Sequence, residues 1–219
     1  MCGMSAASTA EEERLNETPS TTRIEALSDG VFAIVLTLMV FQIRIPNISS
    51  GDAQQMLWPQ LLRQWPEFYS YVISFLLVGI YWVAHHNMYH LIRKSTRPLM
   101  WMNLIFLMFV AFVPYSVALV GRYDQIQRMM VLYGVHLTII SGLLYMQWWY
   151  VTRRHNLVGG RLNQKYVKSM DFKILAAPGV YMLAIGASFI NVRWSKLLYI
   201  LTIVLYLLPS HMDRIIHER

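Results

Sequence analysis

Long apolar segments, separated by short polar ones, constrain this chain more than any other feature of its sequence. A helix of about 20 apolar residues spans the hydrocarbon core of a bilayer. Apolar residues make up 56% of the 219 residues and charged residues only 14%, whereas a soluble domain normally carries about 25% charged residues. The sequence therefore predicts an all-α polytopic membrane protein with six transmembrane helices. The predicted helices cover approximately residues 22–45, 66–90, 98–121, 129–150, 174–190 and 197–208.

The predicted helices form one transmembrane domain, residues 22–210, between two polar ends. Residues 1–21 are rich in Ser and Thr and lack an apolar stretch, which predicts a disordered N-terminus without a cleaved signal peptide. Residues 211–219 are expected to form a short polar tail. Residues 47–64 are expected to form a polar loop with one short amphipathic patch.

Local signals predict the ends of the first helix and a kink in the third. Thr22 and Glu25 have the spacing of a capping box, which predicts that Thr22 is the N-cap. Pro46 is expected to end the same helix, because proline cannot donate the next helical hydrogen bond. Pro114 lies inside the third predicted helix and is expected to kink it.

Basic residues are distributed unequally between the two ends of the predicted bundle. Six helices place both termini on one side, and that side collects 13 of the 19 Lys and Arg residues. Cytoplasmic loops of membrane proteins carry an excess of Lys and Arg. Both termini are therefore predicted to be cytoplasmic. The net charge of +7 is attributed to these loops rather than to a nucleic-acid partner.

Two polar residues, Ser28 and Asp29, lie more than one turn inside the first predicted helix. An ionisable side chain at membrane depth requires a polar partner or water. The predicted topology brings the end of the second helix and the start of the third to a similar depth. We therefore predict a structural polar cluster that ties the first three helices together, with interfacial water as the alternative environment for Asp29. The predicted cluster comprises Arg23, Ser28, Asp29, His85, His86 and Asn103.

Bulky apolar residues form a stripe along the first predicted helix. With Ile34 as the reference on a helical wheel, the other members lie within about 40° of it, and Thr37 flanks the stripe at about 60°. Such a stripe either faces lipid or lines a pore that closes by dewetting, and periodicity alone favours lipid. The apolar stripe comprises Leu27, Ile34, Leu38, Phe41 and Ile45.

The start of the first helix resembles the signature of the transmembrane protein 175 family, the endolysosomal potassium channels and their prokaryotic relatives. That signature is an Arg followed, after three residues, by Phe-Ser-Asp. Arg23, Ser28 and Asp29 match it, and Leu replaces Phe at position 27. The resemblance covers mainly the first three helices. Further matches are Trp82, His85, His86, Asn87, Asn103, Pro114, Tyr115 and Ser116.

The resemblance implies a potassium-selective channel that conducts K+ passively across a membrane, here a prokaryotic plasma membrane, with no enzymatic activity and no cofactor. It implies a homotetramer whose four first helices line the pore. By position, Ile34, Leu38 and Phe41 would form the constriction and gate. Thr37 would contribute selectivity. The family lacks the Thr-Val-Gly-Tyr-Gly filter of other potassium channels, and that string does not occur in this sequence.

Two other classes of function fit parts of the sequence. A proton- or cation-coupled secondary transporter would use Asp29 as its titrating group, but the proline breaks do not occupy matching positions in two halves, as inverted repeats would require. A metal or haem enzyme is disfavoured, because the adjacent side chains of His85 and His86 point about 100° apart on a helix. No Cys or acidic ligand completes a set with them, so no metal site is predicted.

Overall fold

The computed structural model describes residues 21–92, 94–153, 157–158 and 164–207. The predicted tail at 211–219 and, apart from Thr21, the predicted disordered segment lie outside the described residues. Within the described ranges the chain is almost entirely helical, with one isolated bridge between Ile92 and Val158. The helices are α1 (Thr22–Leu38), α2 (Ala53–Arg63), α3 (Trp65–Tyr89), α4 (Arg97–Ala111), α5 (Val113–Arg122), α6 (Gln127–Arg153), α7 (Gln164–Ser188) and α8 (Val192–Leu207).

Five helical stretches of the described chain are long and apolar enough to cross a membrane, which confirms the prediction of an all-α polytopic membrane protein. These stretches correspond to the first five predicted spans. The sixth predicted span corresponds to α8, which has 16 residues and is shorter than the roughly 20 residues of a typical span. The five stretches are Thr22–Gln42, Trp65–Tyr89, Arg97–Arg122, Gln127–Arg153 and Val167–Ser188.

The first span, α1, packs mainly against α3 and α4, with further contacts to α5. On the other side of these helices, α6 packs against α4 and α7, and α7 packs against α8. Large side chains such as Phe32, Leu77, Phe106 and Leu137 are buried where the helices meet. Because its neighbours all lie on one side, α1 keeps a second face that is not covered within the single chain.

The two ends of α1 differ from the prediction. The N-cap is Thr21 rather than Thr22, and it makes no side-chain capping bond. Its hydroxyl instead donates to the carbonyl of Ile92 at 3.4 Å, so this tertiary contact replaces the predicted capping box. The α-helix ends at Leu38 and continues as a 3₁₀ turn over Met39–Gln42. Such turns are frequent at helix ends, because they satisfy carbonyls that lack an α-helical partner.

The segment between the first two spans is more ordered than predicted. The expected polar loop contains α2, an 11-residue helix in which no residue is buried. Trp58 and Leu62 are exposed on this helix. The sequence signal was weak because Pro59 lies inside the helix, where proline normally breaks the hydrogen-bond ladder.

The third span breaks near Pro114, where a kink was predicted. The interruption falls at Phe112, between α4 and α5, and Pro114 occupies the first turn of α5, where its missing N–H is tolerated. His136 of α6 bridges the break. Its Nε2 lies 3.0 Å from the carbonyl oxygen of Phe109 and its Nδ1 lies 2.9 Å from Oγ of Ser116. The imidazole thereby links the two halves of the broken span to α6.

Candidate pore-lining helix and its anchors

The first helix has one buried face and one exposed face. The exposed face carries the apolar stripe: Ile34 is 59% exposed, Leu38 45% and Phe41 75%. In a membrane protein, an apolar side chain that is exposed on the single chain meets lipid or another subunit. This face is therefore available to line a pore in an oligomer. The buried face consists of Ile24, Ser28, Phe32, Val35 and Met39.

Thr37 is exposed beside the apolar stripe. Its hydroxyl lies 3.0 Å from the carbonyl oxygen of Ala33 and 2.9 Å from that of Ile34, and it donates back to this turn of the helix. The one hydroxyl proton of Thr37 is shared between these two carbonyl oxygens, so the lone pairs of the hydroxyl oxygen remain free to act as acceptors. An oxygen in this state suits contact with a cation.

Three side chains from three helices form a buried polar network behind α1. Nε2 of His85 lies 2.8 Å from Oδ1 of Asn103, and Nδ2 of Asn103 donates to Oγ of Ser28 at 3.0 Å. Ser28 in turn donates to the carbonyl of Ile24 at 2.8 Å. A proton on Nε2 of His85 gives every bond in this series one donor and one acceptor. The network fixes both the depth and the rotation of α1 relative to α3 and α4.

Aromatic rings enclose the polar network. The imidazole of His85 stacks on Phe106, with ring centroids 5.5 Å apart, and on Tyr89, with centroids 4.3 Å apart. Phe32 of α1 packs against the His85 ring at a centroid distance of 6.0 Å. Hydrogen bonds in such a water-poor environment are strong, and loss of one partner leaves the other unsatisfied. This packing makes the attachment of α1 to its neighbours rigid.

Asp29 lies outside the buried network, although it adjoins Ser28 in the sequence. Its Oδ1 accepts a hydrogen bond of 2.8 Å from Nε1 of Trp82, and Asp29 is exposed. His86 stacks on Trp82 at a centroid distance of 5.5 Å. The structure thus divides the predicted cluster into a buried part (Ser28, His85 and Asn103) and a peripheral part (Asp29 and His86).

Arg23 belongs to neither part. It is exposed in the first turn of α1, and it forms no ion pair within 4.0 Å among the described residues. Glu25, two positions further on, is half-buried. The predicted membership of Arg23 in a polar cluster is therefore not seen in the single chain.

Sequence reasoning did not identify Trp82 as the partner of Asp29. The predicted partners were titratable and amide side chains, whereas the donor is an indole N–H. The spacing carried a usable signal: Trp82 lies three positions before His85, so both project from the same side of α3 toward α1.

No group of three or more His, Cys, Asp and Glu side chains within the described ranges is arranged to hold a metal ion. The three neighbouring histidines instead pack as aromatic rings. His86 contacts His90 edge-on at a centroid distance of 4.7 Å, while His85 points about 100° away around the helix and stacks on Phe106.

Comparisons with known proteins identify the family. The family model described as the endosomal/lysosomal potassium channel TMEM175 matches residues 23–114, which include α1, α3 and α4 with the polar network. A potassium channel of Streptomyces collinus is 33% identical over 173 residues, covering 77% of this chain and 82% of that protein. The human endosomal/lysosomal proton channel TMEM175 is 37% identical over 107 residues, covering 47% of this chain and 21% of that protein.

A solved structure extends the similarity over nearly the whole fold. The crystal structure of a lysosomal potassium-selective channel TMEM175 homolog from Chamaesiphon minutus superimposes with a TM-score of 0.73 at 29% sequence identity, covering 85% of this chain and 95% of that chain. The identity to the Streptomyces protein and the coverage of its length establish the relationship. This chain belongs to the TMEM175 potassium channel family.

Proposed function

We propose that this protein is a potassium channel in which four copies of the chain surround one pore. The apolar stripe of α1 lines the pore, and K+ passes through it down its electrochemical gradient. Ile34 forms the narrowest ring, with Leu38 and Phe41 further along the same face. The observation that carries this proposal is that the stripe is exposed on the single chain while the opposite face of the same helix is anchored.

The anchoring supports a pore-lining role because it fixes which side chains face outward. Rotation of α1 by about 100°, one residue on the helix, would pull Ser28 out of the network with His85 and Asn103. A lipid-facing helix requires no such precision, since lipid accommodates many rotations. A pore does require it, because every subunit must present the same residues to the axis.

The chemistry of the stripe suits a pore that closes without a charged gate. A ring of Ile34 side chains repels water, and an ion that crosses it must give up part of its hydration shell. K+ loses its shell at a lower cost than Na+, so the barrier favours K+. Thr37 lies less than one turn from Ile34, and its oxygen offsets part of the dehydration cost. We expect the resulting selectivity to be moderate.

Cysteine accessibility combined with flux tests this proposal. In a Cys2→Ser background, a cationic methanethiosulfonate reagent should modify Ile34→Cys from the aqueous side and reduce K+ flux into proteoliposomes. Ile105→Cys is the matched control, because Ile105 is an exposed isoleucine at membrane depth on α4. If Ile34→Cys reacts no faster than Ile105→Cys and flux is unaffected, the stripe faces lipid and the proposal fails.

The transporter alternative makes a different electrical prediction. A channel gives discrete single-channel current steps in planar bilayers, whereas a coupled transporter gives slow, stoichiometric flux. The environment of Asp29 favours the channel, because among the described residues its carboxylate is hydrogen-bonded to the indole of Trp82 and not to a second titratable group that could form a proton relay. Within the described residues, no second side chain donates a hydrogen bond to this carboxylate.

A further inference from the structure

A cavity of about 580 Å³ lies on the far side of α3 from the polar network, between α3, α6, α7 and α8. This volume is within the range of small-molecule sites, roughly 300 to 1,000 Å³. Apolar side chains form most of its wall. Those at its rim, including Phe75, Leu76 and Val83, are themselves exposed, so the cavity opens at the surface of the membrane spans.

The polar groups of the cavity floor are already satisfied. The hydroxyl of Tyr81 lies 3.0 Å from the carbonyl oxygen of Leu137 and 2.7 Å from Oγ of Ser141. The hydroxyl of Tyr206 donates to the carbonyl of Lys173. A polar ligand would find few unsatisfied partners on the floor, whereas an apolar chain would lose nothing there.

The two ends of the cavity differ in polarity. The hydroxyls of Tyr81 and Tyr181 lie 3.4 Å apart. The C-terminal half of α7 therefore lies beside the middle of α3. The cavity wall also includes Asn87, six positions after Tyr81 on α3, and Lys173, eight positions before Tyr181 on α7. Because these helices run antiparallel, the amide and the ammonium lie at the same end of the cavity. That end is the side predicted to be cytoplasmic, which collects most of the basic residues.

We propose that this cavity binds one anionic phospholipid per subunit. One acyl chain lies along α3 between Phe75 and Asn87, a rise of about 18 Å at 1.5 Å per residue. The phosphate lies at the mouth, near Lys173 and Asn87. The length and apolar wall suit an acyl chain, and the cationic end suits an anionic headgroup in the leaflet that faces it. The site requires only that the chain spans a bilayer, and it does not depend on the pore conducting K+.

A glycine in the cavity wall allows a direct steric test. A side chain added at Gly79 meets no heavy atom within 4 Å, so Gly79→Leu should fold while occupying the space of the acyl chain. Gly142→Leu is the matched control, because Gly142 has the same free space but does not line the cavity. Both positions lie inside membrane-spanning helices.

A second pair of variants tests the headgroup. Lys173→Gln removes the charge at the mouth and keeps a side chain of similar length. Lys168→Gln removes an exposed charge five positions earlier on the same helix, where the residue does not line the cavity. If the steric variant should fail to fold, this pair still tests the proposal.

Native mass spectrometry of the purified assembly, titrated with phosphatidylglycerol or phosphatidylcholine of identical acyl chains, reads out both pairs. We expect the unaltered protein to prefer phosphatidylglycerol by about fivefold, and Lys173→Gln to lose that preference while Lys168→Gln keeps it. Gly79→Leu should reduce the affinity for both lipids by about tenfold, whereas Gly142→Leu should bind both lipids as the unaltered protein does. Equal binding of the two lipids by the unaltered protein, or unchanged binding in both Gly79→Leu and Lys173→Gln, would overturn the proposal.

A photocrosslinker distinguishes lipid from a second copy of the chain. Benzoylphenylalanine placed at Val83, on the exposed rim, should yield an adduct with the mass of phosphatidylglycerol. A crosslinked dimer of subunits would instead show that a neighbouring copy covers the cavity, and the lipid site would then be rejected.

Discussion

The indole of Trp82 donates a hydrogen bond of 2.8 Å to the carboxylate of Asp29, joining α3 to the first half of α1. Two variants separate the charge of Asp29 from this hydrogen bond. Asp29→Asn keeps an oxygen that accepts the bond but removes the charge, whereas Trp82→Phe keeps the ring but removes the donor. The pair therefore shows whether Asp29 acts through its charge or through its attachment to α3.

We expect Asp29→Asn to conduct K+ within about twofold of the unaltered protein, because the hydrogen bond alone is worth about 1 kcal/mol and is retained. Trp82→Phe should lower the free energy of unfolding by roughly 1 kcal/mol, since the partly exposed carboxylate regains water. Proteoliposome flux and thermal unfolding in detergent measure the two effects. Abolished flux in Asp29→Asn, with stability unchanged, would favour a proton-coupled transporter.

The buried network predicts a second effect, on stability. Asn103→Leu keeps a similar volume, but its side chain can neither donate to Ser28 nor accept from His85, so it breaks the middle of the series from His85 to Ser28. We expect a loss of about 1–2 kcal/mol in unfolding free energy, the upper range measured for hydrogen bonds between membrane helices. Asn47→Leu, the same change at an exposed position of the segment after α1, is the control.

A double-mutant cycle assigns this loss to the pair. The loss of unfolding free energy in the double variant Ser28→Ala/Asn103→Leu should be smaller than the sum of the losses in the two single variants, because each substitution removes the same bond. Additive losses would mean that the two side chains do not stabilise α1 together.

The sequence was sufficient to predict the fold class and the principal membrane spans, because apolar segments of this length have few alternatives. It did not decide which of two adjacent polar residues is buried. Ser28 and Asp29 point about 100° apart on the helix, and only the packing of Phe106 and His85 shows that the serine faces inward. Charge made Asp29 the more conspicuous candidate, yet it is the hydroxyl that enters the core.

The local errors have a common physical origin. Thr21 uses its hydroxyl in a contact to Ile92, 71 positions away, instead of capping α1, and a local pattern cannot anticipate such a contact. The break at Phe112 could be anticipated from Pro114, but its bridging by His136 could not. Tertiary partners decide details that propensity leaves open.

Selectivity should depend on the hydroxyl of Thr37. Thr37→Ala is expected to leave a conducting channel whose preference for K+ over Na+ falls by about fivefold, if each oxygen ring offsets about 1 kcal/mol of dehydration. Thr37→Ser keeps the hydroxyl and should retain the preference. Bi-ionic reversal potentials measure the change.

The control for Thr37 is Thr138→Ala on α6. Thr138 also donates to the carbonyl four positions earlier, Gly134, so its replacement tests the loss of a back-bonded hydroxyl elsewhere in the bundle. A reversal potential that is the same in Thr37→Ala and Thr138→Ala would remove Thr37 from the selectivity mechanism.

The gate predicts the opposite change, a gain of conductance. Ile34→Asn places an amide on the exposed face of α1, where it keeps the constriction wet and lowers the barrier to ion passage. Each 1.4 kcal/mol removed from that barrier raises the rate about tenfold, so resting K+ flux should increase by an order of magnitude or more. Ile105→Asn, on the exposed face of α4, should not raise flux. If Ile34→Asn assembles but its resting K+ flux is no higher than that of Ile105→Asn, Ile34 does not form the constriction. The gate would then lie at Leu38 or Phe41.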